Sequence, residues 1–305
     1  MNFALIGCGV IAERGHLPTL KHLSSKGVIE FSTVVDVNEK KAKRIAKKFG
    51  VPKFHTDVDR VLNDNKVDVV VIATPTPTHA EIAIKAANAG KHMIVEKPLA
   101  SSLSEGLAIK EAVKNNDVKL TVVQNYRYFS SVRKAKELVC QGHVGHIVNI
   151  YCVAHNPWPN QWTKGTWLYN EPGILLDFAP HAVDTLLWII NDRPKNIYAV
   201  GGDFTGHCGF INYAQISVAF KNGAVATIDL SWLTGTFRFL ISLFGTSGRI
   251  ELDPRYNIIF KAHGIHTPVE DFRLFTLKMK VIPSILTGKF FRTPWIIYKN
   301  LYKDF

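Results

Sequence analysis

Three residues in this chain carry side chains suited to moving a proton while charge develops on oxygen: Lys97, Asp177 and His181. Lys97 stands in the run Glu96-Lys97-Pro98, just past an apolar stretch, 92–95, that reads as the fourth strand of the chain. Ligands gather at the carboxyl ends of strands in an open α/β sheet. An ammonium placed there polarises a carbonyl or stabilises a developing alkoxide. Asp177 and His181 are four residues apart, so on one helix they share a face. Pro180 lies between them, and a helix that begins near Asp177 accommodates it, because first-turn N–H groups have no intrahelical partner. An imidazole takes up a hydroxyl proton near neutral pH, and a carboxylate beside it orients the ring or passes the proton on. Taken singly, each residue has an ordinary alternative: a surface lysine, a hydrogen-bonded helix histidine and an N-cap aspartate.

A second constellation opens the chain. Gly7-Cys8-Gly9-Val10-Ile11-Ala12 has G-x-G-x-x-A spacing, between a predicted strand and a helix-compatible stretch. A plain strand-to-helix turn would also explain the glycines. In a dinucleotide fingerprint, Gly7 allows the tight turn, Gly9 lets the backbone approach a pyrophosphate and Ala12 permits close helix packing. The phosphates then face the N–H groups and positive dipole end of the helix. Asp36 ends the second predicted strand, where a carboxylate accepts hydrogen bonds from both adenosine ribose hydroxyls; its alternative role is a cap for the next helix. A carboxylate at that place repels the 2′-phosphate of NADP, so NAD is the expected cofactor. Lys40 and Lys41 lie close enough to keep NADP as the alternative.

These residues need elements to hold them. Strand-like runs at 3–6, 31–35, 67–73, 92–95 and 120–123 alternate with helical patterns at 39–49, 58–63, 79–89 and 104–115. Such alternation implies a parallel sheet with right-handed crossovers. After Gln124 the rhythm changes: helices are expected at 132–141 and from about 177 to 190, among extended runs at 146–154, 197–200, 211–220, 224–231, 238–244 and 249–252. Lys221-Asn222-Gly223 is a hairpin signal. The expected fold is α/β, with a doubly wound Rossmann domain over 1–123 and an α+β domain over 124–305 built on a large, mostly antiparallel open sheet.

Composition sets the bounds. With 47% apolar and 20% charged residues, the 305-residue chain is long and apolar enough for two cores. No apolar run approaches the roughly 20 residues of a membrane-spanning helix, and the first residues do not read as a signal peptide. Cys8, Cys140, Cys152 and Cys208 are far apart and form no CxxC pair, so no metal site is expected and a reducing cytoplasm is. The formal charge of +12 comes from two places. In 40–48 the lysines form the solvated face of a helix whose other side carries Ala42, Ile45, Ala46 and Phe49. No nucleic-acid motif accompanies the charge, so nucleic acid is not an expected partner. The tail after Phe272 interleaves Arg273, Lys278, Lys280, Lys289, Arg292, Lys299 and Lys303 with aromatic and aliphatic residues. It reads as packing on its own domain or on a partner subunit, with an anionic substrate or an acidic membrane surface as the other readings.

Further motifs complete a pattern: Ala73-Thr74-Pro75 with His79, then Ala89-Gly90-Lys91-His92, Glu96-Lys97-Pro98, and Gly173 to His181 followed by Asp184. Together with the glycine fingerprint they resemble the Gfo/Idh/MocA family of sugar and cyclitol oxidoreductases, over residues 1 to about 255. The resemblance implies hydride transfer between nicotinamide and a hydroxyl-bearing carbon of a sugar-like substrate, with Lys97, Asp177 and His181 catalytic. It places Ala73, Thr74, Pro75 and His79, with Val10 and Ile11, along the cofactor and Glu96 beside its nicotinamide end. It implies a cis Lys97–Pro98 bond, and homo-oligomers formed through the open sheet face. Asn125, Tyr126 and Arg127 would border the active site, and His155 and Trp167 are candidate substrate contacts that buried packing explains as well. Two features depart from the family: Glu171-Pro172-Gly173 stands where three glycines are common, and the chain stops at Phe305 where relatives carry more helical sequence. Two other classes stay open, an NAD- and sugar-sensing regulator without turnover and a reductase of an imine or linear tetrapyrrole.

Overall fold

A computed structural model describes residues 1–157, 173–206, 209–254, 258–263 and 294–305. Met1–Asn125 and the C-terminal helix form one compact unit, and the described residues from Tyr126 to His263 form the other. The first unit is a six-stranded parallel sheet of β1 (Asn2–Ile6), β2 (Glu30–Val35), β3 (Lys53–His55), β4 (Val69–Ile72), β5 (His92–Val95) and β6 (Leu120–Val122). Its order, β3-β2-β1-β4-β5-β6, is the doubly wound order, and the chain reverses direction across the sheet between β1 and β4. The strands β1 and β4 are buried along their whole length, as expected of a sheet covered on both faces. The three-residue β3 was not expected from the sequence, so the strand that leads to Lys97 is the fifth rather than the fourth.

Helices α1 (Leu17–Ser25), α2 (Glu39–Phe49), α3 (Asp59–Leu62), α4 (His79–Asn88) and α5 (Leu103–Asn115) supply the crossovers. A π-helical turn, Ala12–His16, leads into α1. In α2 the residues Ala42, Ile45 and Ala46 are buried, Asn38 caps the N-terminus by accepting from the Lys41 N–H, and Gly50 ends the helix in the left-handed region. Its lysines are thus the solvated face read from the sequence.

The second unit contains α6 (Ser130–Cys140), β7 (Ile147–His155), α7 (Ile174–Asp177), α8 (Ala179–Ile190), β8 (Pro194–Gly202), β9 (Tyr213–Phe220), β10 (Val225–Ser231), β11 (Arg238–Gly245), β12 (Gly248–Asp253) and β13 (Ile258–His263). The seven strands lie in the order β13-β12-β11-β7-β10-β9-β8, and among neighbours β7 and β10 alone are parallel. One sheet face, with Ile150, Cys152, Ala154, Val218, Ile228, Leu230, Phe239 and Ile241, shares a core with Val132, Ala135, Ala182, Leu186 and Ile189 of α6 and α8. Alternate residues such as Tyr151, Val200 and Ser217 are exposed.

Two expectations are corrected here. The helix expected from Asp177 to Ile190 is two helices that meet at Phe178, with Asp177 the last residue of α7 and His181 in the first turn of α8. Pro180 is the cause: it has no N–H to offer the carbonyl four residues back, and its ring crowds that carbonyl. The tail expected in the second domain instead returns to the first unit as α9 (Pro294–Asp304), where Ile297, Tyr298, Leu301 and Tyr302 are buried. These four residues fall on one helical stripe, so burying them against the first unit removes apolar surface from water. Among the described residues no helix is long and apolar enough to cross a membrane, and no group of three His, Cys, Asp or Glu could hold a metal ion.

Candidate active site

The glycine turn between β1 and the first helix is built by close approach. Gly7 has φ +95°, and a Cβ there would lie 2.4 Å from the Ala73 carbonyl oxygen, so only glycine fits. A Cβ on Gly9 would meet nothing within 4 Å, so the backbone there borders open space. Val10 and Ile11 are exposed at the first turn and Ala12 is buried under it. The Asp36 carboxylate spans the turn: Oδ2 accepts from the Cys8 N–H and Oδ1 from the Asn38 N–H, both at 2.9 Å, with Lys41 Nζ 3.6 Å away. Each oxygen keeps a further lone pair for a ribose hydroxyl. The expected alternative, a helix cap, falls to Asn38 instead. Burial, and then the Asp36 charge, push the Cys8 thiol up to about 12, so it is protonated at neutral pH and not a nucleophile.

Beside this turn, the loop after β4 carries Ala73, Thr74 and Pro75. The Ala73 N–H donates to the Ile6 carbonyl at 2.8 Å. Buried His79 reaches the Thr74 carbonyl with Nε2 and the Pro98 carbonyl with Nδ1, each at 2.9 Å. It therefore ties this loop to the loop that carries Lys97. Lys91 does something different. Its Nζ donates to the carbonyls of Asp64 and Val67 at 2.8 Å, which fastens the approach to β4 away from the glycine turn.

Lys97 follows β5 directly, and the Lys97–Pro98 bond is cis. Glu96 is buried, with Oε1 2.9 Å from His16 Nε2 and accepting from the Tyr298 hydroxyl at 2.9 Å. Its other oxygen accepts from the Lys97 N–H at 3.1 Å. Burial alone would raise this carboxyl, but the hydrogen bond from His16, the Lys97 charge and the Tyr298 hydroxyl together hold it below the usual carboxylate range. His16, Tyr298 and Tyr302 were not among the residues singled out from the sequence. Asn125 ends this unit and hydrogen-bonds Tyr298 through its side chain.

In the second unit, buried His181 is flanked by aromatic rings, Tyr126 at 4.4 Å between centroids and Phe178 at 5.8 Å. The Tyr126 ring also packs on Phe239 of β11 at 4.6 Å, so its place is fixed by the sheet. Arg127 makes a two-pronged pair with Asp184 of α8, with Nε 2.7 Å from Oδ2 and Nη2 bonded to Oδ1. Its guanidinium therefore anchors the segment before α6 to α8. Gly173, with φ +60°, opens α7 where a Cβ would lie 2.1 Å from the Ile211 carbonyl oxygen; this glycine of the departing Glu171-Pro172-Gly173 run is the one geometry requires. His155 Nε2 lies 3.0 Å from Asp229 Oδ2 on the neighbouring strand β10. Trp167 lies outside the described residues.

Relatives of known name point the same way as the geometry. Residues 1–124 match the sequence model of the oxidoreductase family with an NAD-binding Rossmann fold, and 132–251 match the GFO/IDH/MocA C-terminal domain. Myo-inositol 2-dehydrogenase of Thermotoga maritima is 30% identical over 260 residues, which cover 83% of this chain and 75% of that protein. Levoglucosan dehydrogenase of Pseudarthrobacter phenanthrenivorans is 34% identical over 166 residues, covering 52% of this chain and 42% of the relative. Among solved structures, a levoglucosan dehydrogenase in complex with NADH and levoglucosan superposes with a TM-score of 0.80 at 26% identity, covering 88% of this chain and 77% of its own. A probable dehydrogenase from Thermotoga maritima gives 0.76 at 29%, covering 83% and 75%. With the fingerprint turn, the Asp36 carboxylate and the Lys97 loop assembled on one sheet edge, this chain belongs to the Gfo/Idh/MocA family and is an NAD-binding dehydrogenase.

Proposed function

We propose that the protein transfers a hydride between NAD and a secondary-alcohol carbon of a sugar or cyclitol, a nucleotide sugar included. The observation that carries this reading is the chain of short contacts from the glycine turn to Lys97. Gly7 lies against Ala73, the ring nitrogens of His79 lie 2.9 Å from the Thr74 and Pro98 carbonyls, and Glu96 accepts from the Lys97 N–H. A lysine fixed so firmly beside a dinucleotide turn is suited to act on oxygen. When bound, NAD supplies the hydride acceptor. In the oxidising direction His181 takes the hydroxyl proton and Asp177 orients the ring or passes the proton on, while the Lys97 ammonium stabilises the oxygen as its charge grows. Tyr126 acts by stacking on His181, and Arg127 by holding α8 through Asp184. Asn125, His155 and Trp167 complete the proposed surroundings of the substrate. Asp36 favours NAD over NADP.

A panel of myo-inositol, scyllo-inositol, levoglucosan, free aldoses and nucleotide sugars, each mixed with NAD and followed by NADH absorbance, tests the reading. One class should be turned over, and Lys97→Ala should lower kcat/KM by about a hundredfold or more, the scale of a lost charge-stabilising group. Tight NADH binding with no turnover on the panel, or an imine reduced in preference to every carbonyl, would replace it with a sensor or a reductase of another substrate.

A further inference from the structure

We propose that the C-terminal helix α9 belongs to the reacting end of the enzyme: Tyr298 and Tyr302 are positioning residues that act through His16 and Glu96 to fix the backbone of Lys97. The proposal rests on the role given to Lys97 above. Its basis is one continuous hydrogen-bonded chain. With the His16 proton on Nε2, the Tyr302 hydroxyl donates to Nδ1 at 2.8 Å and Nε2–H donates to Glu96 Oε1 at 2.9 Å. The Tyr298 hydroxyl donates to the same oxygen at 2.9 Å, and the Lys97 N–H donates to Oε2 at 3.1 Å. Every bond then has one donor and one acceptor, and both carboxylate oxygens are engaged.

Docking a helix does not require this. Ile297 and Leu301, also buried on α9, would dock it by apolar contact alone. Burying a carboxylate costs several kcal/mol unless hydrogen bonds replace its water, so the Tyr298 phenol, the His16 imidazole and the Lys97 N–H around Glu96, with Tyr302 behind His16, preserve a charge the fold could have done without. Three local features converge on it. The π-helical turn that follows the glycine fingerprint contains His16, and such turns re-aim side chains at functional sites. Gly15 admits the Tyr298 ring, since a Cβ there would lie 2.6 Å from it. The two tyrosines are four residues apart and so share one face of α9. The groups that face Glu96 from these elements are His16, Lys97, Tyr298 and Tyr302. Burial, and then the Glu96 charge, hold both phenols well above their ordinary range, so they remain donors at any working pH.

The test compares Tyr298→Phe, Tyr302→Phe and Leu301→Ala in the full chain. Phenylalanine keeps each ring and removes only the hydroxyl, whereas Leu301→Ala weakens the packing of the same helix outside the network. The Glu96 carboxyl is followed by NMR in protein labelled with 13Cδ-glutamate, its resonance identified by its loss in Glu96→Gln. Single-turnover NADH formation is measured on the alcohol found by the panel. Tyr298→Phe should raise the Glu96 titration by about one pH unit, the worth of one hydrogen bond to a charged group. It should also slow the hydride step by about tenfold with little change in KM. Tyr302→Phe should do the same to a smaller degree, and Leu301→Ala should lower the melting temperature alone. Tyrosine variants that behave like Leu301→Ala in both readouts overturn the proposal, as does a moved titration with an unchanged rate. Wild-type turnover tests the dehydrogenase reading separately, and the titration needs no substrate.

Discussion

Asp36 does two things with one carboxylate. It pins the glycine turn through the Cys8 N–H, and in the proposed cofactor site it sets a negative charge against the 2′-phosphate of NADP. Asp36→Ser should therefore narrow the gap between NADH and NADPH affinity by about tenfold, which corresponds to about 1.4 kcal/mol for the like charge removed. Fluorescence titration with both nucleotides measures it, and a wild-type protein that prefers NADPH would defeat the assignment. Gly7 is the sharper structural test. Gly7→Ala forces a left-handed φ of +95° and a Cβ 2.4 Å from the Ala73 oxygen. The backbone strain alone costs about 1–3 kcal/mol, and the contact adds to it. Urea unfolding should show at least about 2 kcal/mol of lost stability, with NADH affinity lost in parallel. Both residues were legible in the sequence because a fingerprint and a strand-end acid depend only on local spacing. His16 was not. Its meaning comes from Glu96 and Tyr302, which the fold brings from 80 and 286 residues away, and a lone histidine early in a helix carries no sign of that.

At the scale of elements, most strands and helices followed from β-branched runs and helical periodicity, because burial on both sheet faces leaves a strong pattern. The failures share a cause in contacts that periodicity does not record. The strand β3 is three residues, Lys53-Phe54-His55, and pairs only at the sheet edge. The helix α9 was hidden because its buried stripe alternates with lysines and reads as a basic, aromatic tail. The break at Phe178 follows from one proline whose preferred first-turn place decided where α8 begins. The first helical turn and α2 are joined by Glu13, which bonds Arg44 at 3.0 Å and Lys48 at 2.6 Å. Those two hydrogen bonds hold the Glu13 carboxyl down to about 2 from the ordinary 4.5. A carboxyl depressed on folding lends stability in full above its unfolded value, and loses it as pH falls from there toward the folded value. Between about pH 5 and about pH 3 the wild type should thus lose more stability than Glu13→Gln. The difference should shrink in high salt, because Arg44 and Lys48 are half-exposed. Urea titrations at the two pH values check it, and parallel losses would show the link to be worth nothing.

At the scale of the whole molecule, one face of the second sheet packs in a core, and the other exposes a row of side chains among the described residues. Ala214, Val218 and Phe220 of β9 are buried, while Gln215 and Ser217 between them are exposed. The pairing register carries that alternation across the sheet. Tyr198 of β8 sits opposite Ser217, Thr227 of β10 sits opposite Ser217 on the other side, and Tyr151 of β7 sits opposite Thr227. One row of the other face therefore runs Tyr198, Ser217, Thr227, Tyr151, with both tyrosines largely exposed. A mixed face of aromatic rings and small hydroxyl side chains, without like charges in the row, is suited to a second copy of itself. The family resemblance and this face together predict a homo-oligomer, at least a dimer, joined sheet face to sheet face over more than about 1,000 Å². The described tail helix α9 buries Tyr298 and Tyr302 inside the first unit, so these two rings are not available to that face. Light scattering at micromolar concentration should give at least twice the mass of one chain. Tyr198→Glu combined with Tyr151→Glu should halve it or more, since like charges facing each other across a two-fold interface repel. A wild-type protein of monomeric mass rejects the interface. A double variant that still assembles moves the contact to another surface.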